Sequence, residues 1–359
     1  MKKMFSKVMA ASLVISLALT ATSCASNKPA ATDTSKPAAT AADKAAATAA
    51  SKETPKKIDY PTKAITVLHG FSPGGGSDQL HQLVKPFAEK ILKQNLTAVY
   101  KTGADGAIAW KEVAGMTGTK ADGYTITTVL TPKTQLNHFI NKSAGYKMED
   151  FVGVANMVFD PGMLVVKPDS QFNTFKDFVE YAKTNPGKIK MSHSGDGGDD
   201  WFNGVMIGKL ANVKFNLVPF AGDGPAWQAA AGGNVDACTN NLSIVGPLIK
   251  GGKLKALAVY TDQRIPDFPD IPTLKELGVN FVEGSYRGFI VPKDTPKEIV
   301  DILANTFEQI SKDPEFVKAA KAANLEIKFL KGDEFKKFIE NEDKQLGQTV
   351  KEMGLEGSM

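Results

Sequence analysis

The sequence predicts an α/β body with mostly parallel sheets, divided into two lobes. Three observations predict it. From Ile58 onward short apolar strands alternate with helical stretches. About ten such strands fall in the roughly 300 residues that follow, enough for two sheets. Two glycine-dense turns, one in each half, both join a strand to the start of a helix.

The elements follow in order. Ala64–His69 reads as a strand, and Asp78–Lys93 has helical spacing through Leu80, Leu83, Val84, Phe87 and Ile91. Strand Thr97–Lys101, helix Gly106–Met116 and strand Tyr124–Val129 come next. Phe151–Phe159 and Gly162–Val166 form an extended stretch expected to break at Asp160-Pro161. The alternation resumes with helix Phe175–Lys183, strand Lys188–Ser192, helix Asp199–Ala211, strand Phe215–Pro219 and helix Pro225–Gly232. Strand Val235–Thr239, helix Ile244–Lys250, strand Lys255–Tyr260 and the long helices Pro296–Lys312 and Asp333–Met353 complete the chain.

Ahead of this body stand two segments of another kind. Lys2, Lys3 and Lys7 precede an apolar run, Val8–Leu19, too short to span a bilayer, so residues 1–23 read as an export signal. Ala21-Thr-Ser-Cys24 resembles a bacterial lipobox, with Ala21 in place of the usual leucine; cleavage before Cys24 would leave its thiol to receive lipid. The alternative is an ordinary signal cut near Ala25. Residues 25–57 contain no Leu, Ile, Val or aromatic side chain, so nothing offsets the entropy of ordering them. They read as a tether that holds the body about 30 Å from its anchor. The expected location is the extracytoplasmic face of the membrane.

Charge is unevenly placed. The whole chain carries +4; residues 1–23 and 25–57 each hold an excess of three positive charges, and subtracting both leaves about −2 on residues 58–359. A nucleic-acid binder concentrates positive charge on its folded part, so that partner is excluded. Cys24 and Cys238 are the two cysteines, and the apolar neighbours of Cys238 suggest a buried, inert thiol.

Chemistry concentrates in the two turns. The first is His69-Gly-Phe-Ser-Pro-Gly-Gly-Gly-Ser-Asp78, the second Ser192-His-Ser-Gly-Asp-Gly-Gly-Asp-Asp200. Glycine lets a ligand approach backbone N–H groups closely, and a helix start offers unsatisfied donors and partial positive charge. Two such turns suit a clamp around a small carboxylate. The same features also serve simply as helix caps, with Ser77 and Asp78 well suited to that work.

Other chemistries fit poorly. Gly76-Ser-Asp78 lacks the lysine of a phosphate loop, and no G-x-G-x-x-G spacing occurs. His69, His81, His138 and His193 form no zinc pattern. Gly195-Asp-Gly-Gly-Asp-Asp200 lacks the closing glutamate of a calcium loop. Neither a metal nor a cofactor is expected. A hydrolase using Ser192 or Ser194 would need a base and an orienting acid that the sequence does not place.

The motifs together resemble the substrate-binding proteins of tripartite tricarboxylate transporters, the Bug family. Tyr60-Pro-Thr-Lys-Ala-Ile-Thr-Val-Leu-His-Gly-Phe-Ser-Pro-Gly-Gly-Gly-Ser-Asp78 is similar to the family's opening motif, and Ala121-Asp-Gly-Tyr-Thr125 to a recurrent one. Asn185-Pro-Gly-Lys188, Val218-Pro-Phe220, Gly232-Gly-Asn-Val-Asp236, Gly251–Ala258 and Asp270-Ile-Pro-Thr273 fall in family order. The likeness runs from about Tyr60 to the C-terminus.

The resemblance implies a periplasmic-binding-protein architecture with crossing hinge strands, lobe 1 from residues 58–158 plus 258–359 and lobe 2 from 159–257. It implies that the first turn binds ligand through Phe71, Ser72, Gly74, Gly75, Gly76, Ser77 and Asp78. The second would contribute Ser192, Ser194, Gly195, Gly197, Gly198 and Asp199. Further family positions fall on Asn240, where aspartate is usual, and on Tyr286 and Arg287. Asp199 and Asp200 stand where relatives carry hydroxyl side chains, and Trp201 replaces a histidine. These acids either complement the helix dipole or select a ligand with an ammonium group.

The expected partners are therefore a small organic acid or amino-acid-like ligand, integral membrane permease subunits, and the membrane through lipid on Cys24. The expected protein is a monomeric binder and not an enzyme. A receptor that reports to a membrane signalling protein is the alternative use of the same fold.

Overall fold

The computed structural model describes residues 58–359. The export signal, Cys24 and the tether lie outside the described residues. Among the described residues ten strands and ten α-helices are arranged as follows. The first group is β1 (Ile65–His69), α1 (Gly76–Leu92), β2 (Leu96–Tyr100), α2 (Ala107–Lys111), β3 (Thr125–Thr131) and α3 (Lys133–Ile140). A long strand, β4 (Phe151–Val166), leads to α4 (Phe175–Thr184), β5 (Lys190–His193), α5 (Asp199–Leu210), β6 (Asn216–Pro219) and α6 (Asp223–Ala231). Then come β7 (Ala237–Asn241), α7 (Leu242–Lys250), β8 (Lys255–Val259) and β9 (Gly284–Pro292). The chain closes with α8 (Lys297–Ser311), α9 (Pro314–Ala322), β10 (Glu326–Lys331) and α10 (Gly332–Glu352).

Among the described residues the strands make one ten-stranded sheet with two distinct halves. In the first, β1 runs parallel to β2 and β3, and β9 pairs antiparallel with both β3 and β4. In the second, β5 runs parallel to β6 and β7, while β7 and β8 flank the end of β4 in antiparallel pairing. The parallel pairs place α1 and α5 at strand C-terminal ends, where α/β folds present ligand sites.

β4 contradicts the expected break. It continues for 16 residues through Asp160-Pro161. The ladder survives because its partners change there: Pro161 is the last residue opposite β9, and Gly162 is the first opposite β7. Proline's missing N–H falls where one ladder hands over to another. Opposite it, Gly284 leaves no spare room, since a Cβ would lie 2.4 Å from the Asp160 carbonyl oxygen.

Each half has its own core. Val67, Leu80, Val158, Phe289 and Phe307 belong to one cluster of the first half; Leu164, Phe178, Met191 and Tyr260 belong to one of the second. A smaller cluster joins them, with Phe202 of α5 packed against Leu136 and Ile140 of α3 and Leu346 and Val350 of α10. Cys238 is buried and forms no disulfide among the described residues. The elements without a sequence-based expectation were α3, α9, β9 and β10. α3 is short and begins at a proline, which hides its apolar period.

Gly284→Ala should destabilise the fold by about 1–3 kcal/mol or more, because rigid backbone opposes the new methyl. Gly224→Ala, with nothing within 4 Å of its Cβ position, is the control. Urea denaturation of both variants checks the difference.

Candidate functional site

The starts of α1, α5 and α6 meet at one cavity of about 580 Å³. From the first half, Gly70–Ser77 line it together with Asp105, Lys133, Ser285 and Arg287; from the second come Ser194, Asp199, Phe220–Pro225 and Asn241. The N-cap of α1 is Gly75 and that of α5 is Gly198, so no N-cap side chain satisfies the first amides of either helix. Those donors and the helix dipoles favour an anion.

Several expected ligand residues line this cavity: Phe71, Ser72, Gly74, Gly75, Gly76, Ser77, Ser194, Asp199 and Arg287. Others do not. The Asp78 carboxylate turns back to accept from the Gly74 amide at 2.8 Å and the Tyr100 hydroxyl at 2.7 Å. Burial raises its pKa, but these donors outweigh that and hold it below its usual value. Asp78 thus braces the first turn from behind. Ser192 is fully buried, its hydroxyl donating to the Ala226 carbonyl at 2.8 Å, which leaves it no part in nucleophilic chemistry. Gly195 lies beside Asp105, Gly197 packs on Ile140, and Gly198 lies beside the Lys133 ammonium.

Two further displacements share one cause. Successive residues of a strand face opposite sides of the sheet. Ser285 and Arg287 on β9 line the cavity, so Tyr286 between them faces away, its ring centre 4.6 Å from that of Phe159 and 4.7 Å from that of Phe338 in tilted packing. It lines a second groove of about 550 Å³ instead. Likewise Asn241 lines the cavity, while Asn240 is buried and accepts from the Asn241 amide at 2.9 Å.

Arg287 is the structural pivot. Its Nη2 donates to Asp160 Oδ2 at 2.5 Å and its Nη1 to Gln79 of α1 at 3.2 Å. Asp160 also accepts from the Ser243 amide at 2.9 Å and hydroxyl at 2.5 Å. Burial raises the Asp160 carboxyl, with Arg287 and Ser243 opposing. The guanidinium lies so close over Gly76 that a Cβ there would stand 2.6 Å from its central carbon. Only glycine permits that approach.

A buried hydrogen-bond chain steadies Ser77. Thr128 donates to the Ser77 hydroxyl at 3.0 Å, which lies 2.5 Å from His69 Nδ1; His69 Nε2 lies 2.8 Å from His81 Nδ1, and His81 Nε2 lies 3.3 Å from the Leu96 carbonyl. Each donor is used once if both rings are neutral and protonated on Nε2. Burial lowers the His69 pKa to about 4, with His81 adding to the effect, and burial lowers His81 as well. Among the described residues no cluster of His, Cys, Asp and Glu suits a metal ion.

Sequence reasoning missed Lys133, Asp105, Asn241, Ser285 and the Phe220–Pro225 loop. The loop had a signal: Gly222-Asp-Gly opens α6 after a strand, the same format as the other two turns. Lys133 is buried at the start of α3, with its ammonium 3.9 Å from Asp105 and 5.1 Å from the Phe71 ring centre.

A mixed sheet in two halves, joined by crossing strands and enclosing a cavity lined by helix starts, defines the class of solute-binding receptors. The model of the tripartite tricarboxylate transporter family receptor matches residues 81–355, and the chain belongs to that family. It is 26% identical to protein BugT of Bordetella pertussis over 298 residues, 82% of this chain and 90% of that protein. A solved periplasmic transporter superposes with a TM-score of 0.75 at 30% identity, covering 83% of this chain and 99% of its own. An R. palustris protein solved with adipate gives a TM-score of 0.77 at 25% identity, covering 82% and 99%. The architecture is that of periplasmic binding proteins. Among the described residues no helix is long and apolar enough to cross a membrane.

The depressed His69 pKa makes stability pH-dependent. Unfolding lets the imidazole regain a pKa near 6.5, so the unfolded chain binds more protons between about 4 and 6.5 and stability falls as pH drops through that window. His69 alone should remove about 1.5 kcal/mol between pH 6.5 and 5. Urea denaturation at the two pH values checks this; equal stability at both would contradict the neutral chain.

Proposed function

We propose that this protein captures a small carboxylate-bearing metabolite outside the cytoplasmic membrane and delivers it to tripartite tricarboxylate-type permease subunits. In this reading residues 58–158 plus 258–359 act as one lobe and 159–257 as the other. Lipid on Cys24 keeps the receptor close to its permease, and the captured molecule is released chemically unchanged.

One observation carries the proposal: backbone amides at the start of α1 share a cavity with Ser194 and Asp199 from the other sheet half. A ligand that contacts both halves better than either alone favours their closure. Carboxylate oxygens accept from the free amides of Gly75–Ser77, and the Ser72 and Ser194 hydroxyls add donors. Charge-assisted bonds of this kind are the stronger class of hydrogen bond. The R. palustris relative solved with adipate supports a carboxylate ligand.

Calorimetry against monocarboxylates, dicarboxylates, tricarboxylates and amino acids should find at least one ligand in the micromolar range or tighter. Gly76→Ala should weaken that ligand at least about tenfold, since Arg287 cannot yield to the new methyl without leaving Asp160. Silence from a folded protein across the panel would contradict the proposal.

A further inference from the structure

Asp105, Asp199 and Asp223 line the cavity, against Lys133 and Arg287 as the lining bases. Both bases are engaged. Arg287 is paired with Asp160, which is itself fully buried, and Lys133 faces Asp105. Asp199 and Asp223 have no basic partner within ion-pair distance among the described residues. Asp199 receives only the Asn241 amide group, at 2.9 Å.

Behind them stands Asp200, fully buried, with neither side-chain oxygen partnered among the described residues. Burial first, then the adjacent Asp199 and Asp223, pushes its carboxyl well above the usual range. Burial and Asp199 raise Asp223 in the same direction. The Ser194 hydroxyl, on the cavity wall, lies beside both carboxyls and eases each of them. An acid in a first helical turn complements the helix dipole. All three acids lie in such a first turn. The dipole does not offset the crowding of three neighbouring carboxyls, where Asp200 and Asp223 share the Ser194 hydroxyl and none of the three has a basic group in ion-pair contact among the described residues.

The cavity also holds features that call for an anion. Arg287 is 2% exposed and its Nε has no partner among the described residues. It lies over Gly76, beside the free amides of α1. One side of the cavity is therefore short of an acceptor and the other is short of a cation. A dicarboxylate would supply the first and worsen the second.

We propose that the ligand carries both a carboxylate and a protonated amine, the carboxylate held at the start of α1 and the ammonium held by Asp199 and Asp223. This rests on the receptor reading above and narrows its substrate class to amino acids and related amino carboxylates. Ammonium N–H groups reach the two carboxylates as charge-assisted bonds, and their charge relieves the repulsion that Asp200 feels.

A matched series isolates the charge. Adipate, 6-aminohexanoate and lysine share a six-carbon chain, as succinate, 4-aminobutyrate and 2,4-diaminobutyrate share a four-carbon one. Titration calorimetry should show an aminated member binding at least about tenfold tighter than the dicarboxylate of its length. Asp199→Asn combined with Asp223→Asn should cost that compound at least about tenfold while leaving the dicarboxylate equal or tighter. If the double variant does not fold, the wild-type ratio decides. A wild-type protein that prefers the dicarboxylate, or a folded double variant that keeps its amine affinity, overturns this inference and leaves the receptor reading standing. Silence from every compound removes both.

Discussion

A guanidinium laid against a glycine Cα holds this molecule's two sheet halves in register with its ligand cavity. Arg287 belongs to β9 of the first half and its partner Asp160 to β4, the strand that runs from one half into the other. Through Gln79 the arginine reaches α1, and through Ser243 the aspartate reaches α7. Taking two such charges out of water is costly unless their remaining donors and acceptors are met. Ser243, Gln79 and the mutual contact meet most of them, while the buried Arg287 Nε has no partner among the described residues. The requirement for glycine at position 76 follows from this packing, and so does the bare helix start that faces the cavity.

In the proposed reading, the same arrangement explains how a body with little net charge holds an anion. Helix starts provide partial positive charge, and both cationic side chains that line the cavity are paired, Arg287 with Asp160 and Lys133 with Asp105. Binding strength then depends on geometry, because amides must reach ligand oxygens from two directions. In the proposed reading the cavity's acids act on the other end of the ligand and sort by charge.

Much of the fold was legible because strands and helices alternate with clear periods and because glycine turns mark the junctions. β1, α1 and α5 start within a residue or two of where their apolar spacing and turns place them. What the pattern could not convey was the change of partner within β4, since a proline at a ladder handover reads the same as a proline that ends a strand. The candidate site was most legible at the first turn, of which residues 70–77 line the cavity. It was less legible where the side chain matters. Asn240 against Asn241, and Tyr286 against Arg287, differ only in which face of a strand they occupy. Family position alone did not resolve that alternation, although the two-residue period forbids adjacent residues from sharing one cavity. Lys133 was hidden because α3 is too short to show a period, and its role comes from a tertiary contact with Asp105.

Backbone hydrogen exchange at single-residue resolution, with and without a bound ligand, tests the central claim most directly. The account predicts that amides at 75–77 and at 194–199 slow together when ligand is added, because one molecule spans both helix starts. Protection confined to one of these turns, or appearing around Tyr286 on the opposite face, would contradict it.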